Sequence, residues 1–268
     1  MNKMKKNILT IIILVIVLAL LGYVGFGYYK TLTSEKKNPI VTMEVENYGT
    51  IKMELYPDVA PNTVKNFINL IQKGYYDGKV FSGLDSTCVY IGKNSEGNVE
   101  NAKMSLVNDS IEAGSDADVE YSIEGEFVAN GYDNNNLKHE KGTISMSRID
   151  YTQFSSSLTK ESYNSANAQF CILLNDERGL NGMYAAFGKV IEGMDVVEKI
   201  SQLETKVDEE STDETTTEST NTLKTFASYP VIKSMTVDTF GVDYGKPEVS
   251  KAFDYYNYMY QYYSNQQQ

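Results

Sequence analysis

The sequence predicts a mainly-β protein in which antiparallel strands form a barrel or sandwich and two helices cover it. Short runs of alternating apolar and polar residues recur along the chain, and turn-forming residues separate many of them. Only two segments have the apolar spacing of a helix. The chain has 268 residues, of which 41% are hydrophobic, so it can hold one sizeable domain with appendages.

The first thirty residues are set apart by their composition. Ile8 to Tyr29 is an uncharged, largely apolar run that follows three lysines. As a helix it would extend about 33 Å, which is enough to cross the hydrocarbon core of a membrane. We expect residues 1–30 to be a transmembrane signal anchor with its lysines in the cytoplasm, so that the rest of the chain lies outside. A cleaved signal peptide ending near residues 25–27 is the alternative.

A polar tether at residues 31–39 leads into the domain, which we place at residues 40–240. Ile40–Glu46 and Ile51–Leu55 alternate apolar and polar residues around a turn at residues 47–49, which indicates a half-buried hairpin. Pro61 then suits the first turn of a helix that ends before Gly74. The apolar face of this helix follows the i, i+3, i+4, i+7 spacing at Val64, Phe67, Ile68 and Ile71.

Further strands and a second helix follow the first helix. The second helix is predicted near Met194–Ile200. The strand-like runs are Cys88–Ile91, Tyr121–Ile123, Thr143–Met146, Gln169–Leu174, Tyr184–Val190 and Val231–Val237. This excess of short strands over helices favours an antiparallel architecture.

Three segments do not fit a compact core. Lys93–Val119 is acidic and rich in Asn, Ser and Gly, which predicts a long loop. Residues 202–222 consist mostly of acidic residues and threonine, so we expect a disordered insertion. The Tyr- and Gln-rich tail at residues 241–268 is expected to be flexible or marginally helical.

The charge of the chain excludes one large class of partner. The formal net charge is −12, and every acidic residue lies beyond Lys30. Binding to nucleic acid requires a basic surface, because phosphate groups dominate the interaction. We therefore expect no nucleic-acid partner.

Four stretches, in the same order along the chain, resemble the cyclophilin family of peptidyl-prolyl cis-trans isomerases. They are GTIKMELYPDVAPNTVKNF at residues 49–67, GEFVANGYDNNNLKHEKGTISMSR at 125–148, AQFCILL at 168–174 and LNGMYAAFGKVIEGMDVVEKI at 180–200. The resemblance implies a closed eight-stranded antiparallel barrel with a helix over each end. It also implies an activity, isomerisation of X-Pro peptide bonds, that needs no cofactor.

The resemblance weakens where the family keeps its catalytic groups. Gly83 stands where the family has an arginine, and we name no catalytic residue with confidence. Arg178, beside Gly179 at the expected pocket rim, is a poor replacement because a loop holds it less rigidly than a strand would. The groove that the resemblance implies is lined by Phe81, Cys88, Val89, Ile91, Gln169, Phe170, Cys171, Leu180 and Tyr184.

Cys88 and Cys171 both replace phenylalanines that flank the family's proline pocket. In an oxidising compartment they would form a disulfide; otherwise they are two small buried thiols. His139, the only histidine, is expected to have a structural hydrogen-bonding role. One histidine and two cysteines at this spacing form no recognisable metal site, so we expect no metal.

Two functions from different classes remain open. The first is a membrane-anchored isomerase, of weak activity, that acts on X-Pro segments of unfolded exported polypeptides. The second is a peptide-binding or chaperone module of the same fold that has lost catalysis. A surface scaffold that binds through its acidic insertion and tyrosine-rich tail is a weaker third possibility.

Overall fold

The computed structural model describes residues 13–25, 37–107, 118–207 and 223–266. The chain divides into two compact units, Met1–Lys37 and Asn38–Gln268. In the first unit, residues 13–25 form helix α1 with exposed side chains. None of the helices in the described part of the chain combines the length and the apolar composition that spanning a membrane requires. The predicted transmembrane helix is thus not found there, and the remainder of Ile8–Tyr29 lies outside the described residues.

The second unit contains twelve described strands. They are β1 (Ile40–Val45), β2 (Gly49–Leu55), β3 (Val80–Leu84), β4 (Cys88–Lys93), β5 (Tyr121–Ser122), β6 (Thr143–Met146), β7 (Phe170–Leu173), β8 (Ala186–Glu192), β9 (Thr205–Val207), β10 (Lys224–Phe226), β11 (Ile232–Asp238) and β12 (Ser250–Lys251). The mainly-β prediction is confirmed. Each of the strand-like runs predicted from the sequence overlaps a strand.

The described helices of this unit are short. They are α2 (Pro61–Gln72), α3 (Met104–Val107), α4 (Thr159–Tyr163), α5 (Met194–Ser201) and α6 (Tyr255–Gln266). Both predicted helices are confirmed, as α2 and α5. Val64 and Phe67 of α2 are fully buried, as the predicted apolar face requires. The α2 N-terminus has no cap from Ala60; instead Glu126 accepts hydrogen bonds from the backbone N–H groups of Asn62 and Thr63, at 2.9 and 2.8 Å.

Ten of the twelve described strands form one antiparallel sheet in the order β11-β1-β2-β8-β6-β7-β4-β3-β10-β9, and β5 and β12 form a separate two-stranded sheet. The predicted closed barrel of eight strands is wrong in this respect, because the ladder order is open and includes β9 and β10. One edge of β3 pairs with β4, and the opposite edge has two different neighbours along its length. Its far end pairs with β10, whereas its start meets the β11 side only through a single bridge, Val80 to Val231, and adjacent backbone hydrogen bonds.

The sheet encloses an aromatic core beneath α2. Phe67 packs edge-on against Phe170 and Phe187, with ring centroids 5.0 Å apart in both pairs, and lies 5.2 Å from Tyr76. All four side chains are buried. Such edge-to-face pairs stabilise a core beyond the effect of buried area alone.

All three segments expected to be irregular contain regular structure, since α3 (Met104–Val107) lies inside the predicted loop Lys93–Val119. β9 lies inside the predicted disordered insertion and pairs with β10 just beyond it, so that part of the prediction is wrong. Residues 208–222 lie outside the described residues. The tail is also more ordered than predicted: β12 pairs with β5, and α6 follows it. Phe253 and Tyr255 pack against Tyr151, with ring centroids 5.2 and 5.6 Å away.

Candidate functional site

β4 and β7 pair with each other and present two different faces. Val89 and Ile91 of β4 join Phe170 and Ile172 of β7 in the main core. Because side chains alternate along a strand, the intervening residues point the other way. Those residues form a separate small cluster of Cys88, Cys171 and Leu173, against which Tyr90 and Leu180 pack. This second face is the floor of a cavity.

The cavity has a volume of about 270 Å³. β4 and β7 form its floor, and the end of β6 and the loop at residues 177–184 form its walls. This volume is slightly below the roughly 300 Å³ at which pockets for small-molecule ligands begin, so it suits one or two residues of a peptide. Among its lining residues are Cys88, Tyr90, Ser145, Arg148, Cys171, Leu180 and Tyr184. We call this cavity the β4–β7 pocket.

The two cysteines in the floor are diagonal neighbours. Cys88 lies opposite Leu173 in the ladder, whereas Cys171 lies opposite Tyr90. Diagonal pairs have Cα atoms roughly 7–8 Å apart, beyond the usual limit of about 6.8 Å for a disulfide. Both are buried free thiols, and a hydrogen bond with Cys88, together with burial, raises the pKa of Cys171. The structure therefore contains the two-thiol alternative, and the predicted disulfide is not formed in it.

A cation lies in the wall of the pocket. Arg148 follows the end of β6, and its guanidinium carbon lies 4.4 Å from the centroid of the Tyr184 ring and 5.1 Å from that of Tyr163. These distances are within the range of cation–π attraction. Its Nε is buried and, among the residues that the structure describes, has no hydrogen-bond partner.

Sequence reasoning missed Arg148 and considered Arg178 instead. Arg178 is exposed, in the single turn Arg178–Leu180, and does not line the pocket. The signal that could have found Arg148 was its place two residues after the predicted strand Thr143–Met146. A side chain next to a strand is held more firmly than one in a loop.

Hydrogen bonds fix the polar residues around the floor. Tyr90 donates its hydroxyl hydrogen to Asp85 Oδ2 at 2.7 Å, and Asp85 Oδ1 accepts from the backbone N–H groups of Thr87 and Cys88, both at 2.7 Å. Burial is the main reason that the pKa of Tyr90 is raised, so its hydroxyl stays protonated. The Asp85 carboxylate is thus occupied by the loop that leads into β4.

His139 lies behind the pocket wall. Its Nε2 is 3.0 Å from Ser145 Oγ, and its Nδ1 is 3.3 Å from Asn181 Oδ1. Burial lowers the pKa of His139, an effect that the hydrogen bond to Asn181 partly offsets. The expected structural role of this histidine agrees with these contacts, which hold Ser145 at the pocket.

Gly83, which the sequence resemblance placed at the family's arginine position, faces the backbone of β10 instead of the pocket. In the ladder, Gly83 lies opposite Thr225 and Leu84 lies opposite Lys224. A Cβ atom on Gly83 would overlap the Lys224 carbonyl oxygen and lie 3.2 Å from its carbonyl carbon. Glycine is therefore required for the close approach of β10, and a longer side chain at this position has no room.

The structure brings together four of the nine predicted groove residues: Cys88, Cys171, Leu180 and Tyr184. The others do not line the pocket. Gln169 is half-buried, and its backbone carbonyl accepts a hydrogen bond from Ser147 at 3.0 Å. Phe81, Val89, Ile91 and Phe170 belong to the main core and are at most 1% exposed. The two-residue alternation of β4 and β7 explains this for Val89, Ile91 and Phe170, because adjacent residues of a strand point to opposite faces.

A larger cleft of about 770 Å³ lies elsewhere on the unit, between the start of α2 and the segment around β12. Its lining is mixed in charge and includes Lys65, Glu126, Lys160, Glu161 and Glu248. No residue predicted from the sequence as part of the groove lines it.

Within the described residues, no group of three or more His, Cys, Asp or Glu side chains is arranged to hold a metal ion. These observations define a β domain with an antiparallel sheet around an aromatic core, a pocket floored by β4 and β7, and an arginine held by aromatic rings in the pocket wall. The comparisons with known proteins give the family. The chain belongs to the cyclophilin-type peptidyl-prolyl cis-trans isomerases, because the sequence pattern described as "Cyclophilin type peptidyl-prolyl cis-trans isomerase/CLD" matches residues 40–222.

Individual relatives agree with this assignment. A probable peptidyl-prolyl cis-trans isomerase of Brucella suis is 27% identical over 178 residues, which cover 66% of this chain and 79% of that protein. A peptidyl-prolyl cis-trans isomerase of Acinetobacter baylyi is 30% identical over 173 residues, covering 63% and 74%. The crystal structure of a Cryptosporidium parvum cyclophilin, crystallised in the presence of the dipeptide Ala-Pro, superposes with a TM-score of 0.51 at 20% identity. It covers 74% of this chain and 98% of that one, and it supports the fold alone.

Proposed function

We propose that the β4–β7 pocket binds X-Pro segments of extended polypeptides and isomerises them slowly. The observation that carries this proposal is the floor formed by Cys88 and Cys171, which pack with the buried Leu173, in a cavity of about 270 Å³ of a domain of the isomerase family. A small apolar floor can take a proline ring, and the polar walls can hold the backbone on either side of it.

The proposed activity is weak because two kinds of group are missing. The resonance barrier to rotation about an X-Pro bond is about 20 kcal/mol. Gly83 provides no cation at the family's arginine position, and loss of one preorganised donor costs about 3–4 kcal/mol, roughly a hundred- to a thousandfold in rate. Cys88, Cys171 and Gly179 stand where the resemblance places aromatic rings, so the ring contacts to proline are also fewer.

A direct test compares the isomerisation rate of an X-Pro peptide with and without the full chain, kept in solution with mild detergent. We expect catalysis that saturates with the peptide and that a proline-containing competitor inhibits, whereas its alanine analogue does not. A rate equal to that of an ordinary family member would refute the proposed impairment. Absence of both catalysis and proline-dependent binding would refute the function. A Gly83→Arg variant is no test of rescue, because its side chain would displace β10.

Binding without catalysis is the second candidate function. The observation that favours it is the closure of the Gly83 position by the backbone of β10. Such a protein would hold extended polypeptides and protect them from aggregation. Suppression of aggregation of an unfolded client, in the absence of any isomerisation, would select this candidate over the first.

We also infer that residues 1–30 anchor the protein in the membrane and that its domain lies outside the cytoplasm. The support is the composition of Ile8–Tyr29 and the three lysines before it. The clients would then be exported polypeptides that fold after crossing the membrane. Protease added to intact cells tests this inference: degradation of the domain supports it, and protection that persists until the cells are lysed contradicts it.

A further inference from the structure

Arg148 is held on several sides by aromatic rings that come from separate parts of the chain. Tyr163 ends α4, Tyr184 precedes β8, and Phe127 precedes the turn Val128–Asn130. Phe127 and Tyr163 pack edge-to-face at 5.1 Å, and the guanidinium carbon lies 5.9 Å from the Phe127 ring. Rings that are themselves packed together restrict the cation to one position.

The nearby carboxylates leave Arg148 available. Within residues 37–107, 118–207 and 223–266, Arg148 forms no salt bridge. The two acidic residues that line the pocket have other partners: Asp85 accepts from Tyr90 and the loop backbone, and Glu177 Oε1 accepts from Gly179 N–H at 2.9 Å. Asp150 lies close enough that Arg148 contributes to lowering its pKa, but Thr152 is its hydrogen-bond partner.

The decisive feature is that Arg148 lines the pocket, is only half-buried and forms no salt bridge within the described residues. A guanidinium group carries five N–H donors. A backbone carbonyl or an imide nitrogen of a bound peptide would be an acceptor for such a donor. A cation that donates toward the imide weakens its conjugation and lowers the barrier to rotation, and no covalent bond is made or broken.

We propose that Arg148 is the cationic donor of the β4–β7 pocket, and that it contacts the X-Pro segment from a different side and recovers only part of the rate lost with the arginine missing at Gly83. This inference rests on the proposed function, since it assigns a role within the same site. It places the cation at the end of β6, on the opposite side of the floor strands from β3. It also assigns Tyr184 to a positioning role, because that ring is the one nearest to the guanidinium.

The chain itself contains an internal control, because Arg148 and Arg178 are its only arginines. The wild-type full chain is treated with an arginine-specific dicarbonyl reagent, with and without an X-Pro peptide, and mass spectrometry follows each residue. We expect the peptide to slow modification of Arg148 at least severalfold and to leave Arg178 unchanged. An alanine analogue should protect neither residue. Equal modification of Arg148 with and without a peptide that does bind would overturn the proposal.

Substitutions provide an independent test. We expect Arg148→Gln to lower kcat/KM for an X-Pro peptide about a hundredfold, the effect of losing one preorganised donor. Arg148→Lys should recover part of that loss, since it keeps the charge without the planar fork. Tyr184→Phe, which keeps the ring under the guanidinium, should change the rate less than Tyr184→Leu, which removes it. Arg178→Gln is the matched control and should leave the rate within about twofold.

The outcomes separate this inference from the function on which it rests. If wild-type protein catalyses isomerisation and Arg148→Gln does so equally well, Arg148 is not the donor and the function stands. If wild-type protein neither binds nor isomerises proline peptides, the proposed function and the role of Arg148 are both refuted. Should Arg148→Gln fail to fold, judged by its thermal unfolding, the protection experiment on wild-type protein decides alone.

Discussion

The two faces of the β4–β7 strand pair have opposite characters, although neighbouring residues of the same strands form both. On the core face, Phe170 and its neighbours pack against the aromatic rings beneath α2. On the pocket face, Cys88 and Cys171 leave space above them. The difference shows that the residues that hold the fold together are separate from those that would meet a ligand. Family membership, which follows from the first set, therefore does not determine the activity of the second.

Polar groups show the same contrast. In the core, Asn66 donates to the Asn167 carbonyl at 2.6 Å and accepts from the Tyr121 hydroxyl at 2.7 Å. Asn167 in turn bonds through its side chain to the backbone of Ala102 and Tyr121. At the pocket, by contrast, Arg148 is half-buried among aromatic rings and forms no salt bridge within the described residues. Satisfied networks make a core rigid, whereas a cation without a carboxylate partner is available to a ligand.

The largest effect should separate two adjacent residues, Phe170 and Cys171. Phe170→Ala removes a fully buried ring and should lower the free energy of unfolding by about 3–5 kcal/mol. Cys171→Ala, on the other face, should cost about 1 kcal/mol and should instead change the affinity for an X-Pro peptide. Denaturant unfolding and peptide titration of both variants measure the two effects. Equal stability losses would break the distinction between the faces.

A smaller effect is expected at the boundary of the pocket strands, where β10 crosses Gly83. Gly83→Ala forces a methyl group into the backbone of Lys224 and should destabilise the chain by about 1–3 kcal/mol. Gly179→Ala is the control, because its nearest neighbour is the end of the half-buried, flexible Glu177 side chain and not backbone. Urea unfolding compares the two variants. If Gly83→Ala is as stable as Gly179→Ala, the close contact between Gly83 and the backbone of β10 does not contribute to stability as proposed.

The pocket thiols should react slowly in the native chain. Because the hydrogen bond with Cys88 and burial raise the pKa of Cys171, little thiolate is present near neutral pH. We expect alkylation of the native chain to be at least about tenfold slower than alkylation of the urea-unfolded chain. Equal alkylation rates in the native and urea-unfolded chain would contradict the burial of the two thiols. Thiols that become reactive only after reduction would establish the disulfide that the resemblance suggested.

The smallest effect concerns His139. Its folded-state pKa is lowered from the ordinary value of 6.5, so the unfolded chain binds a proton more readily. The stability that neutral His139 contributes is therefore complete above about pH 6.5 and is lost as the pH falls toward the folded-state pKa. Between about pH 7.5 and about pH 5.5 the wild type should lose more stability than His139→Gln. An identical pH dependence would show that His139 does not titrate on unfolding.

The sequence was sufficient wherever local periodicity determines structure. The hairpin of β1 and β2 and the buried face of α2 were predicted because alternation and helical spacing are properties of neighbouring residues. The pairing of β9 and β10 was not predicted, since Thr205–Val207 and Lys224–Phe226 are short and flank an acidic segment without apolar periodicity. Those strands depend on the edge of β3, a contact between residues far apart in the chain.

The site was predictable only in part. Cys88, Cys171, Leu180 and Tyr184 were identified by resemblance, but adding Val89, Ile91 and Phe170 ignored the two-residue alternation of strands. Arg148 could not be assigned in the same way, because its position depends on rings from three separate segments.

The central claim is that X-Pro segments bind on the pocket face of β4 and β7, and methionine methyl NMR tests it most directly. Met146 lines the pocket at the end of β6, although its side chain also belongs to the main core, whereas Met43 and Met53 do not line the pocket and serve as internal controls. The account predicts that an X-Pro peptide shifts the Met146 methyl signal of the full chain and leaves the other two in place, and that the alanine analogue shifts none of them. A Met146 signal that does not move while the peptide binds would contradict it.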